Sequence, residues 1–159
     1  MEYRIRKAEQ RDIPIIVDFR MKMFHSFLGD TFDLAKTGEF ERRHLAEWLE
    51  TGQFAAWVAE DDTGQVIAGA AASFYVLPPK PWNLNGRHTF ISSMYTEPEY
   101  RKKGIGGRLL QAALDFAQEQ GVETVTLHAS KAAHSLYASF GFKDTNEMRL
   151  QLPAKTPES

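Results

Sequence analysis

Between Arg101 and Arg108 the chain reads Arg-Lys-Lys-Gly-Ile-Gly-Gly-Arg, and apolar residues at helical spacing (Ile105, Leu109, Ala113, Phe116, Ala117) start inside it. These are the parts of a phosphate cradle. Gly104 and Gly106 lack a Cβ, so the backbone can approach an anion and take a positive φ without strain. The first turn of a helix leaves N–H groups without internal partners and carries the positive end of the dipole. Arg101, Lys102, Lys103 and Arg108 bring positive charge to the same point, which suits a pyrophosphate. Two other phosphate loops are excluded. No Gly-Lys-Ser/Thr tripeptide occurs, and Leu109 stands where the G-x-G-x-x-G fingerprint needs its third glycine.

Ahead of the cradle, Arg87 to Thr96 is β-branched and aromatic enough for a strand, closed by Glu97-Pro98-Glu99-Tyr100. Beyond it lies Ser135-Leu136-Tyr137-Ala138-Ser139-Phe140-Gly141-Phe142. Arg101 to Gly106 matches R-x-x-G-x-G, the acetyl-CoA signature of the GCN5-related N-acetyltransferase (GNAT) family. Ser135 to Phe142 resembles that family's second signature, a helical Leu-Tyr followed by Gly-Phe opening the last strand. The chain resembles the family over essentially its whole length.

The elements that must position these residues follow from periodicity. Tyr3 to Arg6 alternates as a short strand, and Asp12 is placed to cap a helix carrying Ile13, Ile16, Val17, Phe24, Phe27 and Leu28, ended by Gly29-Asp30. A second helix is expected from Gly38 to Glu50, with Phe40, Leu45, Trp48 and Leu49 on its apolar side. Phe54–Glu60 and Gln65–Val76 read as an antiparallel hairpin across Asp61-Asp62-Thr63-Gly64. The proline-rich stretch Leu77–Gly86 is a loop. After the signature strand come a helix from Gly104 to Gln120, a strand from Val122 to His128, a short helix from Lys131 to Phe140 and a closing strand from Phe142 to Leu152. We expect one domain over 1–152 and a fraying tail over 153–159.

The resemblance implies an α/β fold: a mixed, mostly antiparallel sheet of about six strands flanked by about four helices, splayed between strands four and five. Acetyl-CoA would enter that splay. Main-chain groups of Met94, Tyr95 and Thr96 would meet the pantetheine arm, and Lys102, Lys103, Gly104, Ile105, Gly106 and Gly107 the pyrophosphate, with Arg101 beside it. Ser130 stands where the family often has an Asn that bonds the pantetheine. Tyr137 would protonate the departing CoA sulfur as general acid; packing of its ring in the core is the alternative reading. Alternation places Phe90, Ser92 and Met94 together on the signature strand, and only Ser92 among them could hold a water that relays the amine's proton. Glu97, His88 and His128 are the more distant acceptors.

Composition narrows the class further. The chain has 159 residues, 43% of them hydrophobic, and a net charge of −2, which does not suggest a nucleic-acid binder or a polybasic membrane ligand. It has no cysteine, so disulfides, thiolate nucleophiles and cysteine metal sites are excluded together. No metal is expected. Neither a signal-like N-terminus nor an apolar run long enough for a membrane span is visible, so a cytoplasmic protein is expected.

The function these readings favour is acetyl-CoA-dependent transfer of an acetyl group to a primary amine of a small molecule or peptide, by direct attack through a tetrahedral intermediate. A catalytically silent acyl-CoA sensor and an unrelated nucleotide-binding domain are the alternatives, and a homodimer stays open. The family binds its acceptor with the first two helices and the loop between strands three and four, here about Met21–Glu50 and Leu77–Arg87. From Asp30 to Glu50 six acids face three bases, which leans toward a cationic amine.

Overall fold

The computed structural model describes residues 1–155. Strands β2 (Phe54–Asp61) and β3 (Val66–Val76) fold back on one another in the expected hairpin. Asp61 shapes the turn: its Oδ1 accepts from the Thr63 and Gln65 N–H groups and from the Thr63 hydroxyl, which holds its carboxyl below the usual range. β1 (Tyr3–Lys7) and β4 (Arg87–Thr96) add antiparallel on either side, and β5 (Thr124–Leu127) pairs parallel with β4, giving the order β1-β2-β3-β4-β5.

Helices cover both faces of the sheet's centre, so β2 and β3 read as nearly continuous small and apolar residues instead of alternating. On one face α1 (Ile13–Leu28) and α2 (Leu34–Thr51) bring Ile16, Val17 and Leu45 onto Phe54, Ala56, Val58 and Ala71. On the other, α3 (Ile105–Glu119) sets Phe116 edge-on to Trp57 and Phe74, with ring centroids 5.5 and 5.7 Å away.

One helix start and one helix cap differ from expectation. α2 begins at Leu34, because Asp33 accepts the Lys36 N–H at 3.0 Å and so caps it. Gly38, read as a boundary, lies buried inside the helix, where a Cβ would come within 3.5 Å of Val17 and Met21. Asp12 does immediately precede α1, yet its side chain makes no cap bond. Its carboxylate accepts from the Arg6 Nη1 and Nη2 groups, at 2.7 and 2.9 Å, and from the Glu9 N–H at 2.8 Å.

The described residues divide into two compact units, Met1–His128 and the shorter stretch from Ala129 onward. The second holds α4 (His134–Ser139), shorter than the expected 131–140. The expected closing strand over Phe142–Leu152 does not form, so the sheet has five strands instead of about six. Met148, Leu150 and Leu152 alternate as a half-buried strand would, yet they are exposed at 94%, 81% and 69%. Alternation specifies which side chains share a face; it does not supply the ladder partner that makes a strand. Of the expected tail, residues 156–159 lie outside the described residues.

Candidate active site

The parallel pairing of β4 with β5 ends early. It joins His88–Ile91 to Thr124–Leu127, while β4 runs on to Thr96. This is the expected splay. A β-bulge follows directly: Ser92 pairs with Ala71 and Tyr95 with Gly69, so Ser93 and Met94 together oppose Ala70. Ser93 takes φ +57°, and its Oγ accepts Arg20 Nη1 at 2.9 Å. The bulge breaks the alternation that put Met94 with Phe90 and Ser92. Tyr95, three positions after Ser92, returns to the α1 side and packs its ring 5.0 Å from that of Phe19.

β4 leads straight into the cradle. A 3₁₀ turn over Pro98–Tyr100 precedes Arg101, and Gly104 at φ +77° is the N-cap of α3. Lys102 also lies in the left-handed region, at φ +61°. Left-handed residues alternating with ordinary backbone are the conformation from which anion-binding nests of N–H groups are made, and here they stand beside a helix start with no side-chain cap. Arg101 is anchored there: its Nε donates to the Thr96 carbonyl at 2.9 Å, so that carbonyl is already in use. Lys103 Nζ sits 5.5 Å from the Tyr100 ring, and Arg108 turns onto Tyr3, with 4.8 Å between guanidinium and ring centroid.

Next to the start of the splay is a cavity of about 390 Å³ between α1, α2 and the sheet, into which Ser92 and Ser93 both face. Two residues that sequence reasoning did not single out organise it. Arg20 on α1 donates through Nε to Glu41 on α2 and through Nη1 to Ser93 on β4. Glu41 uses one carboxylate oxygen for that pair, and its other oxygen is buried with no partner. Phe40, His44 and Trp48 stand one helical turn apart on α2 and line the same cavity, with successive ring centroids 6.2 and 5.4 Å apart. Phe40 and Trp48 were expected on the core side; at 49% and 38% exposed they face the cavity mouth, while Leu45 alone on that helix's apolar side is fully in the core. The spacing of 40, 44 and 48 marks one helix face, but whether that face meets core or open space depends on the tertiary arrangement. Arg20 carried no such signal, since its partner Ser93 is 73 positions away.

The more distant proton acceptors prove mostly structural. Glu97 ion-pairs with Lys22 and accepts the Tyr95 hydroxyl at 3.2 Å; that contact raises the Lys22 pKa, and burial is the main reason the Tyr95 phenol is raised too. His88 is buried at the far end of β4, stacked on Tyr75, with Asn83 Nδ2 3.3 Å from its Nε2. His128 follows β5 and meets Phe90 edge-on at 4.8 Å, so it lies beside the start of the splay.

In the second unit, Tyr137 is buried and packs edge-on to Phe142 at 5.9 Å. Burial raises its pKa, so the phenol keeps its proton. Ser130 begins the turn into α4: its carbonyl accepts the Ala133 and His134 N–H groups, and its hydroxyl oxygen accepts Ala133 as well, at 3.3 Å. Among the described residues no group of three or more His, Asp or Glu side chains is placed to hold a metal, and no helix is long and apolar enough to cross a membrane.

Comparison with known proteins agrees with this geometry. The sequence model of the acetyltransferase (GNAT) family matches residues 21–142. The chain is 30% identical over 158 residues to an uncharacterized N-acetyltransferase, YhfO, of Bacillus subtilis, covering 95% of this chain and 99% of the relative. It is 37% identical over 94 residues to N-acetyltransferase family 8 member 3 of Rattus norvegicus, covering 57% of this chain and 39% of that longer protein. Among solved structures, a predicted acetyltransferase with acetyl-CoA from Clostridium acetobutylicum superposes with a TM-score of 0.85 at 31% identity, over 96% of both chains. A GCN5-related N-acetyltransferase from Ralstonia eutropha gives 0.87 at 28% identity, over 95% of this chain and 99% of that one. The chain belongs to the GNAT family and is an N-acetyltransferase.

Proposed function

We propose that the protein moves an acetyl group from acetyl-CoA to a primary amine by direct attack, with residues 1–152 acting as one acetyltransferase domain. The observation that carries this reading is the continuity of β4 with the cradle. A strand edge released from β5 at Ile91 runs through the bulge to Thr96, and the left-handed Lys102 and Gly104 follow at the start of α3. On this reading the pantetheine arm lies along Met94–Thr96 as an added strand. The pyrophosphate sits on the N–H groups of Lys102–Gly107, with Arg101 beside it and the Ser130 hydroxyl as a further contact.

The amine, in its neutral form, attacks the thioester carbonyl and gives a tetrahedral oxyanion. Collapse breaks the C–S bond, Tyr137 gives its proton to the leaving sulfur, and the new amide nitrogen loses a proton to water held at Ser92. The phenolate then regains a proton from solvent. With no cysteine in the chain, no enzyme thioester forms on the way.

Two measurements on the full chain test this: calorimetric binding of acetyl-CoA, and free CoA release in the presence of a panel of primary amines. Binding together with amine-dependent CoA release is expected. Binding with no release from any amine would replace the reading with an acyl-CoA sensor, and failure to bind would end it.

A further inference from the structure

At Ser93 strand β4 has left the ladder on both sides. Pairing with β5 ends at Ile91, and on the other edge the bulge sets Ser93 and Met94 together against Ala70. The extra residue of a bulge stands outside the ladder, so the sheet does not fix the backbone here. Ser93 nonetheless takes φ +57°, which a residue with a Cβ keeps only where its surroundings hold it. What holds it is Arg20, whose Nη1 donates to the Oγ of this buried serine. Arg20 is aimed in turn: its Nε donates to Glu41 on α2, and its guanidinium lies 4.9 Å from the Phe24 ring centroid. A guanidinium presents its donors as a rigid planar fork, so fixing Nε on one partner directs Nη1 at the other.

The bulge decides what the strand presents beyond it. Side chains alternate with period two, and so do the edges to which successive main-chain groups point, so taking out the extra residue would reverse both for Met94, Tyr95 and Thr96. As it stands, Tyr95 is turned to α1, against Phe19. We propose that Arg20 is a positioning residue for acetyl-CoA: through Ser93 it holds the bulge in the form that turns the main-chain groups of Met94, Tyr95 and Thr96 toward the pantetheine arm, a role that rests on the function proposed above. Arg20 needs no cofactor contact to do this. Its effect is on the fraction of molecules whose strand edge is already shaped to receive the cofactor. Weakening the hold raises the apparent Kd by the inverse of that fraction, and saturating cofactor restores the shaped edge.

The test is a double-mutant cycle on the full chain, read first as acetyl-CoA affinity by calorimetry with no amine present. Ser93→Ala deletes the acceptor and leaves the Arg20–Glu41 pair. Arg20→Gln keeps a nitrogen where Nε stands, so Glu41 retains a donor, and deletes both Nη groups. Each single variant is expected to weaken acetyl-CoA binding roughly tenfold or more, the loss of one hydrogen bond to a charged group. The double variant should be no worse than the more impaired single one, because both cut the same link. The second readout is the split between KM and kcat with an amine that the parent acetylates. KM for acetyl-CoA should rise about as Kd does, while kcat at saturation stays within about threefold of the parent. Losses that add in the double variant overturn the proposal. So does a folded Ser93→Ala protein with parent affinity and only a lower melting temperature, or a fall in kcat with KM unchanged. Should Arg20→Gln fail to fold, the affinity of Ser93→Ala decides; should no amine be acetylated, binding decides alone. A parent that fails to bind acetyl-CoA overturns the function proposed above, and this role with it.

Discussion

Arg20 Nη1 donates to Ser93 Oγ at 2.9 Å, so the one non-glycine residue of β4 at a positive φ is pinned from helix α1. Backbone in this region costs a residue with a Cβ free energy, and it persists only where its surroundings hold it there. Ser93→Val should therefore lower stability by roughly 1–3 kcal/mol, because a β-branched residue tolerates this φ poorly and cannot accept from Arg20. Ser93→Gly relieves the backbone while losing the same bond, and should cost much less. Urea denaturation of the two variants measures the difference; equal losses would show that the hydrogen bond, and not the backbone, is what Ser93 contributes.

Gly104 separates conformation from charge. An added Cβ there would meet no protein atom within 4 Å, so the fold has room for a side chain, and the strain lies in φ +77° alone. Gly104→Ala should cost about 1–2 kcal/mol of backbone energy and weaken acetyl-CoA binding modestly. On the proposed reading Gly104→Asp sets a carboxylate against the pyrophosphate, about 1–4 kcal/mol for each charge pair at 4 Å. Calorimetry should find acetyl-CoA affinity at least roughly tenfold below that of the alanine variant.

Tyr137→Phe keeps the ring against Phe142 and removes only the hydroxyl. If the phenol is the acid, kcat falls by about 10²- to 10⁴-fold, while acetyl-CoA affinity changes by no more than about 1 kcal/mol. Steady-state kinetics beside calorimetry reads both, and an unchanged kcat with chemistry rate-limiting would make Tyr137 a packing residue.

With Glu97 and His88 committed to structural contacts, the proposed mechanism takes the neutral amine as the reactive species. The rising limb of the pH profile of kcat/KM should move with the acceptor's own pKa when two amines of different basicity are compared. A limb that stays fixed for both amines and disappears in a His128 variant would identify the base as His128.

Acid stability should report the cluster at the sheet edge. Asp12 is held below its ordinary carboxyl value by the Arg6 guanidinium, and Glu60 is lowered by Arg6 and Arg4. For a depressed carboxyl the stabilisation is complete above the unfolded-state pKa, near 4, and drains away as pH falls through the lower folded-state value. Melting temperatures between pH 7 and pH 2 should therefore fall more steeply for the parent than for Asp12→Asn. The variant should be less stable at pH 7, and the two curves should converge in acid.

Local chemistry was legible where a residue's task is local. The cradle, the hairpin turn at Asp61 and the helix start at Gly104 follow from residue types and spacing, because a positive φ or a turn selects its residue directly. The splay was expected from family likeness and not from any property of Ile91 or Leu127. The bulge at Ser93 left no mark, since Ser-Ser-Met is as good a strand as any and the extra residue is set by the partner strand. Glu41 was visible only as one acid among six. What distinguishes it is a buried oxygen and an arginine 21 positions earlier, and both arise from the packing of α1 on α2. The missing sixth strand has the same origin: Met148, Leu150 and Leu152 encode a face, and the face needs a neighbour.

Arg20 and Lys22 stand two positions apart on α1, and they reach to different ends of the site. Arg20 braces the cavity through Glu41 and Ser93, while Lys22 grips Glu97, the residue that closes β4 and opens the turn into the cradle. One rigid helix thus serves as a gauge. Because the helix is one rigid element, it sets the spacing between the bulge at Ser93 and the end of β4 at Glu97, so the strand edge and the turn that follows it are held in one fixed relation.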